Sequence, residues 1–142
     1  MMNDQNQNLT NKITIIKHYI KDLSFENLQD VNNQNIKKDE VIFSDNINAI
    51  FYPYNNDNFG ILLKYNCDCI LKQKQGRSFI LEIDYFGLFK INKMEKYNKD
   101  DLTRDGCVLL YPFLKNIIEY ISHHGAPFRV SLKDSNLKPV KN

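Results

Sequence analysis

Apolar and polar positions alternate with a period of two through much of the chain, and the places where that alternation breaks divide it into elements. Within residues 13–26, Ile13, Ile15, Tyr19, Leu23 and Phe25 fall on one face and Thr14, His18, Asp22, Ser24 and Glu26 on the other, the pattern of a half-buried strand. Lys17 and Lys21 interrupt the apolar face while Ile16 and Ile20 enrich the other, so the first half of this strand is expected to be covered on both sides. Residues 27–46 are polar and rich in Asn apart from Val41, Ile42 and Phe43, and they read as a long loop. A second strand is predicted over residues 47–54, stopped by Pro53 and by the turn formers Asn55, Asn56, Asp57 and Asn58. The clearest alternation follows: Ile61, Leu63, Tyr65, Cys67, Cys69 and Leu71 against Leu62, Lys64, Asn66, Asp68, Ile70 and Lys72. Residues 73–76 then close a hairpin into a fourth strand over 77–91, where Phe79, Leu81, Ile83 and Tyr85 oppose Ile80, Glu82 and Asp84, with a bulge or bend expected at Gly87.

Near Asp105 the period changes. Leu110, Phe113, Leu114, Ile117, Ile118 and Ile121 recur at steps of three and four, with Lys115, Asn116, Glu119 and Ser122 on the remaining surface, which predicts an amphipathic helix from about 105 to 124. Gly125 is placed to cap it and Pro127 to prevent its continuation. Pro112 belongs at the first turn or at a kink, because a proline deeper in a helix costs about 3 kcal/mol. Strands first and a helix last give the α+β class, an antiparallel sheet with a helix on one face.

Composition narrows the function. With 142 residues, 42% hydrophobic and 25% charged, the chain can bury one core, and we read residues 12–142 as a single domain. Residues 1–11 are almost wholly polar, with no apolar period, and are expected to be floppy. The formal charge of +2 is far from the basic excess that neutralising phosphates demands, so a nucleic acid is not expected as partner. No uncharged apolar run approaches the roughly 20 residues of a membrane helix, and the opening residues lack a cationic stretch leading into an apolar one. A soluble, cytoplasmic protein without membrane insertion is the expectation. Cys67, Cys69 and Cys107 give neither a disulfide framework nor zinc-knuckle spacing, which fits a reducing compartment and predicts no metal.

Nothing in the sequence calls for a cofactor: there is no glycine-rich phosphate loop and no pair of catalytic acids. Cys107 with His123 or His124 is the one nucleophile and base pairing to weigh, but about 16 residues of helix at 1.5 Å each hold them roughly 24 Å apart. The histidines suit the negative end of the helix dipole instead. No enzyme is expected.

Three of these elements together resemble the protein-export chaperone family SecB. HYIKDLSFEN, residues 18–27, resembles the family's first strand; FILEIDYFGLFKI, residues 79–91, its last strand; and LLYPFLKNIIEYISHHGAPF, residues 109–128, its long helix opened by a proline and closed by Gly-X-Pro. Their order and spacing match as well. The resemblance implies a four-stranded antiparallel sheet with a long C-terminal helix packed on one face. It further implies a dimer made by sheet pairing and a homotetramer made as a dimer of dimers through the helices, with apolar grooves that hold unfolded preproteins. The chain differs from the family's pattern in three respects. It ends soon after the start of the family's second helix, it carries no Cys and His tail for zinc, and it is slightly basic where the family is acidic.

The resemblance also implies site residues. Asp22, Glu26, Ile80 and Glu82 match the positions that meet the SecA motor ATPase, and the pleat independently puts Asp22 with Glu26, and Ile80 with Glu82, on common faces. An ordinary solvated sheet face would look the same in sequence. For client binding, large adaptable apolar side chains are needed, and Phe51, Tyr52, Tyr54, Tyr85, Phe86 and Phe128 are the candidates, although aromatic residues at such positions are commonly core. Tyr111, Ile118 and Tyr120 are expected at the oligomer interface, since the helix is apolar over more than one face. The leading expectation is an ATP-independent chaperone that holds unfolded precursors and delivers them to SecA. The alternatives are a SecB-like chaperone dedicated to a single client, such as an antitoxin, without motor delivery, and a structural subunit with no client.

Overall fold

A computed structural model describes residues 12–28, 41–72, 76–92, 97–130 and 132. The expected N-terminal segment, most of the expected loop at 27–46, the hairpin turn at 73–75 and the tail after Leu132 lie outside the described residues. Four strands, β1 (Ile13–Asn27), β2 (Val41–Pro53), β3 (Asn58–Leu71) and β4 (Arg77–Ile91), form one antiparallel sheet in the order β1-β4-β3-β2, and a single helix, α1 (Lys99–Gly125), covers one face. The two strands with the cleanest alternation, β3 and β4, take the centre, where both edges of each are paired. Beneath the helix, Phe59, Ile61, Leu63, Cys69, Phe79, Leu81, Ile83 and Phe89 are at most 1% exposed.

Close approach of helix and sheet depends on two glycines. A Cβ at Gly87 would lie 2.6 Å from Leu110 of the helix, and one at Gly106 would lie 2.8 Å from Ile61 of β3, so each glycine accepts the other layer's side chain. Gly87 is therefore a contact point. It pairs regularly with both His18 and Ile61, and β4 has no bulge there.

The bulges lie in β1. Its register with β4 slips between Ile15 and Lys17 and again between Ile20 and Asp22, leaving Ile16 and Lys21 as the extra residues. The first slip inverts the alternation and the second restores it. His18 consequently faces the helix, where its ring stacks on Phe113 at 4.2 Å between centroids and its Nδ1 hydrogen-bonds the Tyr85 hydroxyl. Tyr19 goes to the opposite, outer face against Phe86 at 5.5 Å. This corrects the face assignment expected for residues 17–20. The assignment from Asp22 onward stands.

Two boundaries also differ from expectation. β2 begins at Val41, six residues before the expected start, because Ser44, Asp45 and Asn46 pair with Asp68, Cys67 and Asn66 on a sheet edge that tolerates polar side chains. The helix begins at Lys99, six residues before the expected start. Asn98 caps it by accepting from the Asp101 N–H at 2.7 Å, and Asp100 and Asp101 occupy the positive first turn. Pro112 is accordingly an interior proline, tolerated on the exposed side while Leu110, Tyr111 and Leu114 bury the other. The helix ends as expected, but without a left-handed glycine cap: Ala126 caps it in extended conformation, and Gly125 is the last helical residue. Ser122, expected on the surface, is fully buried. Its hydroxyl accepts from the Val130 N–H at 3.0 Å and folds the following segment back, so that Val130 and Leu132 join the core.

Candidate functional site

The outer face of the sheet, opposite the helix, is divided along the strands into two halves of different chemistry. The β1–β4 register sets Asp22 opposite Asp84, Ser24 opposite Glu82 and Glu26 opposite Ile80, so Asp22, Glu26, Ile80 and Glu82 lie side by side. Asp84 is held by Lys64 at 3.7 Å and Asp68 by Arg77 at 3.9 Å; among the described residues no ion pair engages Asp22, Glu26 or Glu82. Like charges placed directly opposite destabilise a sheet. An acidic half maintained at that cost has the right charge to receive a cationic partner.

The other half is apolar and aromatic. Tyr19 packs on Phe86, and Leu62, on the outer face by its pairing with Phe86 and Ile50, is only 3% exposed. A Cβ at Gly60 would meet the rings of Phe86 at 2.8 Å and of Tyr54 at 2.9 Å, so both rings close over bare backbone. Lys17, Tyr19, Tyr54, Asn58, Phe86 and Leu88 line an open groove of about 330 Å³ here. The Asn55 side chain fixes the adjoining β2–β3 turn by accepting from the N–H groups of Asp57 and Asn58, each at 2.9 Å.

The expected client-binding aromatics therefore do not form one cluster. Tyr52, Tyr54 and Phe86 belong to the outer face. Phe51, Tyr85 and Phe128 lie on the helix side: Phe51 stacks on Phe59 at 5.5 Å and 17°, with the Lys99 ammonium 5.9 Å from its centroid, Tyr85 is buried beside His18, and Phe128 packs against the core. The expected interface residues divide too. Tyr111 and Ile118 are buried within the chain's own core, whereas Tyr120 is 67% exposed and packs on His124 at 4.5 Å. The large apolar side chains that the helix leaves most open are Phe113, whose ring also stacks on His18, and Tyr120. Phe113 is an outward residue that the helical stripe did not separate from the core set, because the stripe gives spacing but not which neighbour each position meets.

The cysteines have no reactive setting. Burial pushes the Cys67 and Cys69 thiols up to about 11 and the Cys107 thiol up to about 12, so all three stay protonated at neutral pH. Cys107 lies in the third turn of the helix rather than at its start, beyond the strongest field of the dipole. Burial likewise raises the Tyr65 hydroxyl, which donates to Asp45 at 3.2 Å. Among the described residues no three His, Cys, Asp or Glu side chains gather as a metal site, and no helix is long and apolar enough to cross a membrane.

No curated protein matches the chain at a significant level. Among solved structures, the SecB-like chaperone of Mycobacterium tuberculosis, in complex with a ChAD peptide from the HigA1 antitoxin, is similar with a TM-score of 0.67 at 11% identity, over 88% of this chain and 91% of its own. A protein of unknown function from Streptococcus agalactiae is similar with a TM-score of 0.48 at 7% identity, over 86% of this chain and 97% of its own. At 11% identity the likeness to the M. tuberculosis protein is one of fold. The model of the family SecB, preprotein translocase subunit SecB, matches residues 5–140. With nearly the whole length matched and the sheet and helix in place, the chain belongs to the SecB family.

Proposed function

We propose that this protein is an ATP-independent chaperone of the cytoplasm that holds unfolded polypeptides and delivers them to the SecA motor. The observation that carries the reading, beside the family, is the amount of apolar side chain left open around a closed core: Ile16, Tyr19, Ile20, Leu23, Phe113 and Tyr120 are all at least 40% exposed. An apolar band of this kind marks an interaction surface. Part of it is used in assembly, with β1 pairing to a second β1 and the outward helix surface packing dimers into a tetramer near four times 16.8 kDa. The rest is open to clients. Within this reading Asp22, Glu26, Ile80 and Glu82 receive the motor, and their adjacency on the outer face supports that role.

The test uses purified oligomer and a slow-folding client diluted from denaturant. A client retained with the oligomer on size exclusion, while its native form is not, is the expected result, and a client that never co-elutes overturns the reading. Handover is tested separately. Reversing Asp22, Glu26 and Glu82 together to Lys replaces attraction by repulsion and is expected to weaken SecA binding at least tenfold, with client retention kept.

A second reading, a chaperone dedicated to one client without motor delivery, is favoured by two observations. The similar M. tuberculosis structure carries an antitoxin peptide, and the net charge here is +2 rather than acidic. Wild-type protein that retains clients but shows no SecA binding even at low salt selects this reading.

A further inference from the structure

The apolar half of the outer face is more than a continuation of the sheet surface, and its charges identify what suits it. Its groove is lined by Tyr19, Tyr54, Phe86 and Leu88 with one amide, Asn58, and one charged residue, Lys17, and no carboxylate. Lys90 stands on the same face beside Leu88, opposite Thr14 and Asn58, and is exposed. The nearest carboxylate along β4, Asp84, is held by Lys64 at 3.7 Å and belongs to the acidic half. An aromatic trough between two ammonium groups complements an extended strand of polypeptide that alternates apolar side chains with carboxylates. Tyr54, 55% exposed at the rim, and Tyr19, 45% exposed at the edge, offer rigid faces to such side chains. A cationic segment would meet repulsion at Lys17.

We infer that the groove between Tyr19, Tyr54, Phe86 and Leu88, flanked by Lys17 and Lys90, is a docking site for extended apolar segments bearing acidic residues, distinct from the acidic half of the same face. The inference rests on the chaperone reading and gives it a client chemistry, apolar segments bearing carboxylates, seated apart from the acidic half.

The experiment uses the full chain and fluorescent ten-residue peptides of alternating Phe or Leu with Asp, and the same peptides with Lys in place of Asp, followed by anisotropy. The acidic peptide is expected to bind, to lose about tenfold in affinity on K17E/K90E, and to lose about fivefold on Tyr54→Ala, which removes an exposed ring without opening the core. The basic peptide is expected to lose nothing on K17E/K90E. An acidic peptide that does not bind, or that binds K17E/K90E as well as wild type, overturns the inference. So does a second copy as occupant, which would appear as a change of oligomer mass on Tyr54→Ala with peptide affinity unmoved. Retention of an unfolded client is measured on the same samples. Retention without the acidic-peptide response leaves the chaperone reading standing and the inference refuted, while loss of retention by wild-type protein refutes the reading itself.

Discussion

β1 and β2 are both edge strands, 15 and 13 residues long, and they treat their free edges in opposite ways. β1 is buried only at its first residue and shows Ile16, Tyr19, Ile20 and Leu23 to solvent. β2 also exposes two isoleucines, Ile42 and Ile50, but Ser44, Asp45, Asn46 and Asn48 separate them. Asp45 turns its carboxylate to the helix side, where Tyr65 holds it. An inward charge on an edge strand opposes the addition of another strand. The middle of β1 has no inward carboxylate of this kind; its two bulges put apolar groups on both faces at once, beside the exposed Lys17 and Lys21. One edge carries polar side chains and an inward carboxylate, and the other leaves its apolar side chains open.

The largest effect expected is on assembly. Ile20→Lys with Leu23→Glu places charges on the open edge at positions about 43% exposed, so the protomer should fold while the oligomer falls to 16.8 kDa at micromolar concentration. If the wild-type dimer is tighter than about 1 µM and the variant weaker than about 100 µM, the loss is at least about 2.8 kcal/mol of association. The paired control on the other edge, Asn46→Lys with Asn48→Glu, should leave the mass unchanged. Equal responses at the two edges would end the comparison.

Next in size is the guard residue. Asp45→Val removes the inward charge and leaves the Tyr65 hydroxyl without its acceptor, which should cost about 1–3 kcal/mol in urea unfolding and permit concentration-dependent association through β2. Asp45→Asn, which keeps an acceptor, should cost less than half of that and associate less. Between the helices the effect is smaller still. Tyr120→Glu should convert tetramers to dimers on light scattering, with protomer stability changed by no more than about 0.5 kcal/mol. The same substitution at the fully buried Ile118 should unfold the protomer, and even Ile118→Ala should cost about 2–5 kcal/mol.

Last is a pH response within β3, confined to alkaline solution. Burial raises Cys67 and Cys69 from an ordinary 9.0 to about 11. Above pH 9 the unfolded chain releases thiol protons that the folded chain keeps, so stability should decline gradually from pH 9 to 11. Cys67→Ala/Cys69→Ala should reduce that slope in urea melts, leaving the part that Cys107 contributes.

The sequence made the centre of the sheet legible because β3 and β4 are tied on both sides, and any slip would turn Leu63, Cys67 and Ile83 outward. It made the acidic cluster legible because Asp22, Ser24 and Glu26 lie after the second bulge, where the alternation is back in phase. The two bulges left only an ambiguous mark: Lys17 and Lys21 on the apolar face and Ile16 and Ile20 on the other read as a strand covered on both sides, whereas they are phase slips in a strand whose middle is exposed within the chain, and neither bulge carries the glycine that often signals one. The start of β2 reads as a turn because SDN is turn chemistry, and only pairing with Asp68, Cys67 and Asn66 makes it strand. The helix start was present in the sequence as Asn98 followed by Asp100 and Asp101, a cap with an acidic first turn. Weighting the apolar stripe, which thins before Asp105, hid it. The split of the client candidates over two faces depends on the registers of Tyr52 and Phe86, which alternation within a single strand does not supply.

Holding unfolded protein is the property on which the account stands. A client unfolded in guanidinium and diluted with an equal amount of the oligomer, without nucleotide, should show its light scattering suppressed, and added ATP should change nothing. Scattering as strong as that of the client alone would contradict the account.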